Sequence, residues 1–275
     1  MMKNMVDSKT TEKVAGKTAS VNGLKLYYEL HGSGQPLVLL HGGVSAGEMF
    51  DPLLPVLVAK YQVITVHLQG HGRTADSERP LRYESMAEDI AALLMQLGIA
   101  SADILGYSLG GGVALQTAIH HPELLRKLVL VSTPFMRQGF YPEVLANMDQ
   151  MGPEAARFMD QSPMSQLYPG KDWAGLFTRL GDLLRQEYDW SKGVAAIKLP
   201  VMLVYADADA VSSGHAMEFF MLLGGGLRDA GMDGSGRPAG RLAILPGMSH
   251  YDILTHPGLA DMLAAFLDAP MPAGR

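Results

Sequence analysis

The stretch Gly106-Tyr107-Ser108-Leu109-Gly110-Gly111-Gly112 constrains this chain more than any other. Ala102 to Tyr107 reads as a strand feeding it and Val113 to His121 as a helix leaving it, so G-x-S-x-G falls at a strand-to-helix turn. In that setting the chain reverses so sharply that the residues two before and two after the serine lie against one another. A Cβ at Gly106 or Gly110 would clash there. Gly111 and Gly112 each cost about 1 kcal/mol relative to alanine in a helix interior, which points to close approach of the first turn to the sheet. The bare pattern is weak in a chain with 31 glycines, so its weight comes from its flanks and its partners.

At 275 residues the chain suits one large α/β domain with an insertion. Its 48% hydrophobic and 18% charged residues describe a globular protein, and a net charge of −6 without a basic block gives no footprint for nucleic acid. With no cysteine, disulfides, thiolate metal sites and a cysteine nucleophile are excluded, so a nucleophile must be an oxygen. Met1 to Ser20 is polar and lacks the apolar centre of a signal peptide, and no later run approaches the roughly 18 apolar residues of a membrane span. A cytoplasmic protein with no membrane or nucleic-acid partner is expected.

Taken in order, a flexible tail over 1–18 precedes Ala19 to Asn22 and Leu24 to Leu30, joined at Asn22-Gly23 as a hairpin. Pro36 to Leu40 is continuously apolar, as in a strand covered on both faces, and ends in His41-Gly42-Gly43. Tyr61 to His67 is the next strand. Ser85 and Glu88 form a capping-box pattern, predicting a helix that starts there and stops at Gly98. Leu125 to Ser132 follows the elbow helix as another strand. This alternation implies a parallel sheet with helices on both faces.

The rhythm breaks over 133–199, where helix-like pieces are separated by Pro142, Pro153, Pro163 and Pro169. This segment reads as a helical cap inserted into a core made of 19–132 and 200–268. Pro200 to Tyr205 and Arg241 to Leu245 complete the sheet, with an aperiodic loop over 224–240 between the helix Gly214 to Leu223 and the last strand. Thr255-His256-Pro257 opens the closing helix.

A serine hydroxyl needs a base within hydrogen-bond reach and a third group to orient that base. Reacting groups in such a sheet collect in loops past the carboxyl ends of the strands. Past the last strand, Pro246-Gly247-Met248-Ser249-His250 offers a histidine in a loop, whereas His256 lies at a helix start. His250 is therefore the better candidate. Past Pro200 to Tyr205 the carboxylates are Asp207 and Asp209; Asp209 lies deeper in the loop and is the better candidate, with Asp207 as a hydrogen-bonding neighbour. Ser108, Asp209, His250 is the chain order nucleophile, acid, base.

With these residues in place the chain resembles the α/β-hydrolase superfamily from Leu24 to Leu267. The resemblance implies an eight-stranded, mostly parallel sheet flanked by helices, an inserted helical cap and a serine triad. It implies an oxyanion hole of the Leu109 and Gly43 backbone N–H groups, with Val44 as second choice for the latter. In that setting His41 braces the oxyanion turn, and His71 and Arg73 are loop architecture. One departure is His67, where relatives often carry aspartate. No carboxylate and histidine cluster has metal spacing, so no metal or cofactor is expected.

The expected activity is hydrolysis of carboxylic esters or lactones of small to medium apolar molecules. Val44, Tyr107, Trp173, Trp190 and Met136 are candidate substrate-facing residues, since aromatic and methionine side chains suit varied acyl groups. The same triad could instead serve C–C bond hydrolysis, acyl transfer or perhydrolysis, or the fold could act as a ligand-binding receptor with little catalysis.

Overall fold

In the computed structural model, which describes residues 15–159 and 161–271, Asn22 and Gly23 take positive φ (45° and 83°). They fold Lys17–Val21 (β1) back on Leu24–His31 (β2). Most of the expected tail lies outside the described residues. Its last part is not free, since Lys17 and Thr18 already pair with Tyr28 and Tyr27. Six more strands follow: Gln35–Leu40 (β3), Tyr61–Val66 (β4), Ala102–Tyr107 (β5), Leu125–Val131 (β6), Val201–Ala208 (β7) and Arg241–Ser249 (β8). They form one sheet in the order β1-β2-β4-β3-β5-β6-β7-β8, antiparallel through β1, β2 and β4 and parallel beyond.

The apolar run of β3 explains its central place. Leu37 and Leu39 enter one core and Val38 and Leu40 the other, all four fully buried. The helices Leu54–Leu57 (α1) and Leu259–Asp268 (α9) cover the first face. Tyr83–Gln96 (α2), Leu109–His120 (α3) and Ser213–Leu222 (α8) cover the second. Strands β4 and β5 leave β3 on opposite sides, so the order reverses here and a crevice opens past the carboxyl ends. The register Leu40↔Gly106 sets the turn after β3 beside the bend after β5.

Between β6 and β7 the chain forms Pro142–Asp149 (α4), Pro163–Leu167 (α5), Trp173–Leu184 (α6) and Ser191–Ala196 (α7), with 3-10 turns at Arg137–Gly139 and Pro153–Met159. Pro142, Pro153 and Pro163 open their helices, where a missing N–H costs no intrahelical bond, rather than merely separating them. No helix among the described residues is long and apolar enough to cross a membrane.

Strand β7 runs on to Ala208 and the closing helix begins at Leu259, later than Thr255; three further boundaries that differ from expectation bear on the site. Helix α2 starts at Tyr83 and not at the Ser85 capping box; Arg82 precedes it in extended conformation without a side-chain cap, and the start lets the Tyr83 ring pack edge-on against Trp190. Helix α3 starts directly at Leu109, so the glycines sit in its first turn. There Gly110 presses on the carbonyls of Leu40 and His41, but Gly111 and Gly112 face the Thr133 side chain and the Tyr83 ring instead of the sheet. Strand β8 continues through Pro246 to Ser249 because it is an edge strand, paired only to β7, where a proline need not break a ladder bond.

Five histidines are buried: His41, His67 and His71 at and beyond the ends of β3 and β4, His215 stacked on Phe135, and His250 past β8. Burial pushes His67, His71 and His215 down to about 4 and His41 well below its ordinary value. The unfolded chain, with these groups near 6.5, then binds more protons than the folded one between about pH 6.5 and 4, and stability falls as pH falls through that window. The urea midpoint should drop steeply from pH 7 to 4.5; a level midpoint would contradict this assignment.

Candidate active site

Strand β5 delivers the chain to Ser108, which adopts φ 51° and ψ −115°, and helix α3 begins at the next residue. Positive φ in a residue other than glycine costs on the order of 1–3 kcal/mol, so it persists only where the surroundings enforce it. Enforcement comes from both sides. The Ser108 N–H donates to the Val131 carbonyl of β6 at 2.9 Å, and its own carbonyl accepts from Gly112 N–H at 3.1 Å. A Cβ on Gly106 would strike the Gly110 carbonyl, as the sharp reversal requires. Leu109, as first residue of α3, has no carbonyl within the helix for its N–H. Leu109 and Gly43 both line the cavity that holds Ser108.

The loop after β8 brings His250 to the serine, with Nε2 3.1 Å from Ser108 Oγ. The loop after β7 brings Asp209 to the other side of the ring, Oδ1 2.9 Å from Nδ1. Asp209 is itself fixed by three further donors: Ser132 Oγ at 2.5 Å and Ala206 N–H at 3.0 Å to Oδ2, and Val211 N–H at 3.2 Å to Oδ1. Burial alone would raise this carboxyl, but the hydrogen bonds and charge of His250, with the Ala206 and Ser132 donors, outweigh it and hold the group below its ordinary value. A carboxylate that stays ionised keeps the imidazole proton on Nδ1 and leaves Nε2 free to face the hydroxyl.

The alternatives have other partners. Asp207 accepts from Gly247 and Met248 N–H groups and ties β7 to the turn before His250. His256 accepts from Gly258 N–H near the start of α9. Tyr107 donates its hydroxyl to the His250 carbonyl at 2.6 Å, which anchors the histidine loop to the strand carrying the serine. Sequence reasoning missed Ser132. Its only signal was position, a hydroxyl at the carboxyl end of a strand next to the elbow, and its φ of 52° is what turns it toward Asp209.

A cavity of about 290 Å³ opens over Ser108 and His250, roofed by Val144, Met148 and Met151 from α4 and its exit and by Leu180 and Leu184 from α6. Of the candidate substrate-facing residues, Val44 and Tyr107 line it; Trp173, Trp190 and Met136 do not. Trp190 stacks behind Tyr188 at 4.2 Å between ring centroids, so Tyr188 takes the wall position. Trp173 packs on the cluster of Ala156, Met159 and Phe177 inside the insertion, and the backbone of Met136 bridges that of Asp189.

Behind the turn after β3, His41 Nε2 accepts from Leu68 N–H at 3.0 Å, which leaves its Nδ1–H to donate to the Gly42 carbonyl at 2.7 Å. One ring thus cross-links the Gly43 turn to the chain after β4. His67 supplies an acceptor to the next loop: its Nδ1 takes the Arg73 N–H at 2.9 Å. Arg73 in turn pairs with Glu48 at 3.0 Å, to which Tyr168 of the insertion donates at 2.6 Å. Among the described residues no group of three or more His, Asp or Glu is arranged to hold a metal ion.

The sequence pattern of the alpha/beta hydrolase fold family matches residues 35–213, and the chain belongs to that family. It is 30% identical over 264 residues to the pimeloyl-[acyl-carrier protein] methyl ester esterase of Aeromonas hydrophila, spanning 83% of this chain and 93% of that protein. It is 36% identical over 159 residues to a Caulobacter vibrioides protein provisionally named carbamate hydrolase RutD, a match spanning 54% of this chain and only 57% of the relative. Among solved structures, the enol-lactonase of Burkholderia xenovorans superposes with a TM-score of 0.72 at 20% identity, over 92% of this chain and all (100%) of that one. At that identity the likeness concerns the fold.

Ser132 supplies one of the donors that hold Asp209, so Ser132→Ala leaves a buried carboxylate oxygen short of a partner. The substitution should lower the unfolding free energy by about 1–3 kcal/mol in urea denaturation at neutral pH. An unchanged midpoint would show that the hydroxyl contributes nothing there.

Proposed function

We propose that this chain is a serine hydrolase that cleaves carboxylic esters or lactones of small to medium apolar molecules through an acyl-enzyme. One observation carries the proposal: a single imidazole bridges Ser108 Oγ at 3.1 Å and Asp209 Oδ1 at 2.9 Å at the floor of an apolar cavity. The match to a methyl ester esterase over most of the chain supports ester cleavage ahead of C–C cleavage or acyl transfer by the same groups.

In the proposed reaction, Ser108 Oγ attacks the substrate carbonyl while His250 Nε2 takes the hydroxyl proton. Asp209 keeps the ring in the required tautomer and faces the positive charge that forms on it. Negative charge on the former carbonyl oxygen is met by the Leu109 and Gly43 N–H groups and by the amino end of α3. When the tetrahedral adduct collapses, His250 returns the proton to the leaving alcohol. Water then enters, loses a proton to His250 and attacks the acyl carbon, and the proton goes back to Ser108 Oγ as the acid departs. An insertion with apolar walls excludes bulk water and strengthens each of these charge contacts.

Ser108→Ala should lower kcat for p-nitrophenyl butyrate by roughly 10³-fold or more while leaving the far-ultraviolet circular dichroism unchanged. Activity within tenfold of the parent in a folded variant would rule the serine out.

A further inference from the structure

The wall of the cavity holds two polar groups that the proposed reaction does not use. Tyr83, at the first residue of α2, and Tyr188, between α6 and α7, both line it, and neither hydroxyl has a hydrogen-bond partner among the described residues. The other lining side chains of this kind are accounted for: Tyr107 donates to the His250 carbonyl and Thr133 to the Val131 carbonyl, while Asn147 and Tyr251 lie exposed at the rim. The two rings meet edge-on with centroids 5.6 Å apart, and Trp190 packs against both from behind, at 5.1 Å and 4.2 Å. Aromatic packing on this scale fixes the hydroxyls in place ahead of any ligand.

Position and charge restrict what they can meet. The Tyr83 ring lies against Gly112, four residues along α3 from Ser108, which at 1.5 Å per residue is about 6 Å. The acyl group is the part of a substrate that is bonded to Ser108 Oγ, so it is the part that stays in this cavity through the cycle. No lysine or arginine lines the cavity among the described residues, so a carboxylate there would lose its hydration without a cation to face. A purely apolar chain would cover two donors without offering either of them an acceptor. A carbonyl oxygen has two lone pairs and can accept from both.

We infer that Tyr83 and Tyr188 select substrates whose acyl chain carries a neutral acceptor, a ketone or amide carbonyl, some four to six carbons from the reacting end. Burial raises both phenols well above their ordinary value, so both remain donors across the working pH range. The inference rests on the reading of Ser108 as nucleophile for the identity of the acyl end, but not for the binding preference.

The test compares methyl oxoalkanoates with the ketone at carbon 4, 5 or 6 against the parent methyl alkanoates of equal length. In Ser108→Ala with Trp173→Phe, which holds esters without turning them over, Trp190 fluorescence reads the dissociation constants. At least one oxo ester should bind roughly tenfold or more tighter than its parent. Adding Tyr83→Phe or Tyr188→Phe should reduce that ratio by roughly three- to tenfold each. With Ser108 intact, the ratio of kcat/KM for the same pair should shift in the same way. A structural role for the tyrosines would weaken both esters together and leave the ratio unmoved, which overturns the inference, as does equal binding of oxo ester and parent. Failure to hydrolyse either ester would count against the proposed function alone, because the binding ratio still decides the role of the tyrosines.

Discussion

The backbone at Ser108 is the constraint on which the remainder depends. A serine at φ 51° is tolerated because β5 is clamped between β3 and β6 and because α3 leaves at once over the carboxyl end of β3. Gly106 and Gly110 let the two arms of the bend touch. The same geometry that strains the residue lifts its hydroxyl clear of the sheet and leaves the Leu109 N–H unpaired within the helix, so the proposed nucleophile and the proposed anion donor arise from one turn. Reversal of strand order at β3 then brings the Gly43 turn alongside, and His41 pins that turn to the chain after β4.

Much of this was legible in the sequence because its signals are local or ordinal. Glycine spacing around Ser108, the unbroken apolar run of β3 and the Asn-Gly hairpin each carry a steric or packing requirement that a linear pattern can express. The choice of Asp209 and His250 followed from a topological rule about strand ends. What the sequence could not express was direction within the insertion. Trp190 and Met136 have the chemistry of a substrate wall, yet Trp190 stacks behind Tyr188 and Met136 lies outside the cavity lining. Ser132 was invisible for a related reason: a lone serine carries no signal until β6 and β7 are set side by side. The start of α2 was misplaced because tertiary packing of Tyr83 outweighed a local capping pattern.

The loop behind the site shows substitution of means. His67, neutral through burial, accepts the Arg73 N–H, where the family resemblance implies an aspartate, and the Arg73 side chain is left to pair with Glu48. Tyr168 donates to the same carboxylate, so the insertion is tied to the core through this network as well as by its apolar contacts. The cavity is thereby bounded on one side by the strained elbow and on the other by an insertion with its own hydrogen bonds to the sheet.

The central claim is that Ser108, His250 and Asp209 act as one hydrolytic unit. A fluorophosphonate probe with intact-mass and peptide analysis tests it most directly, because such reagents report activated serines whatever the natural substrate. The account predicts a single adduct, located on Ser108, forming at least roughly 100-fold more slowly in His250→Ala. Labelling at another serine, or an unchanged rate in the histidine variant, would contradict it.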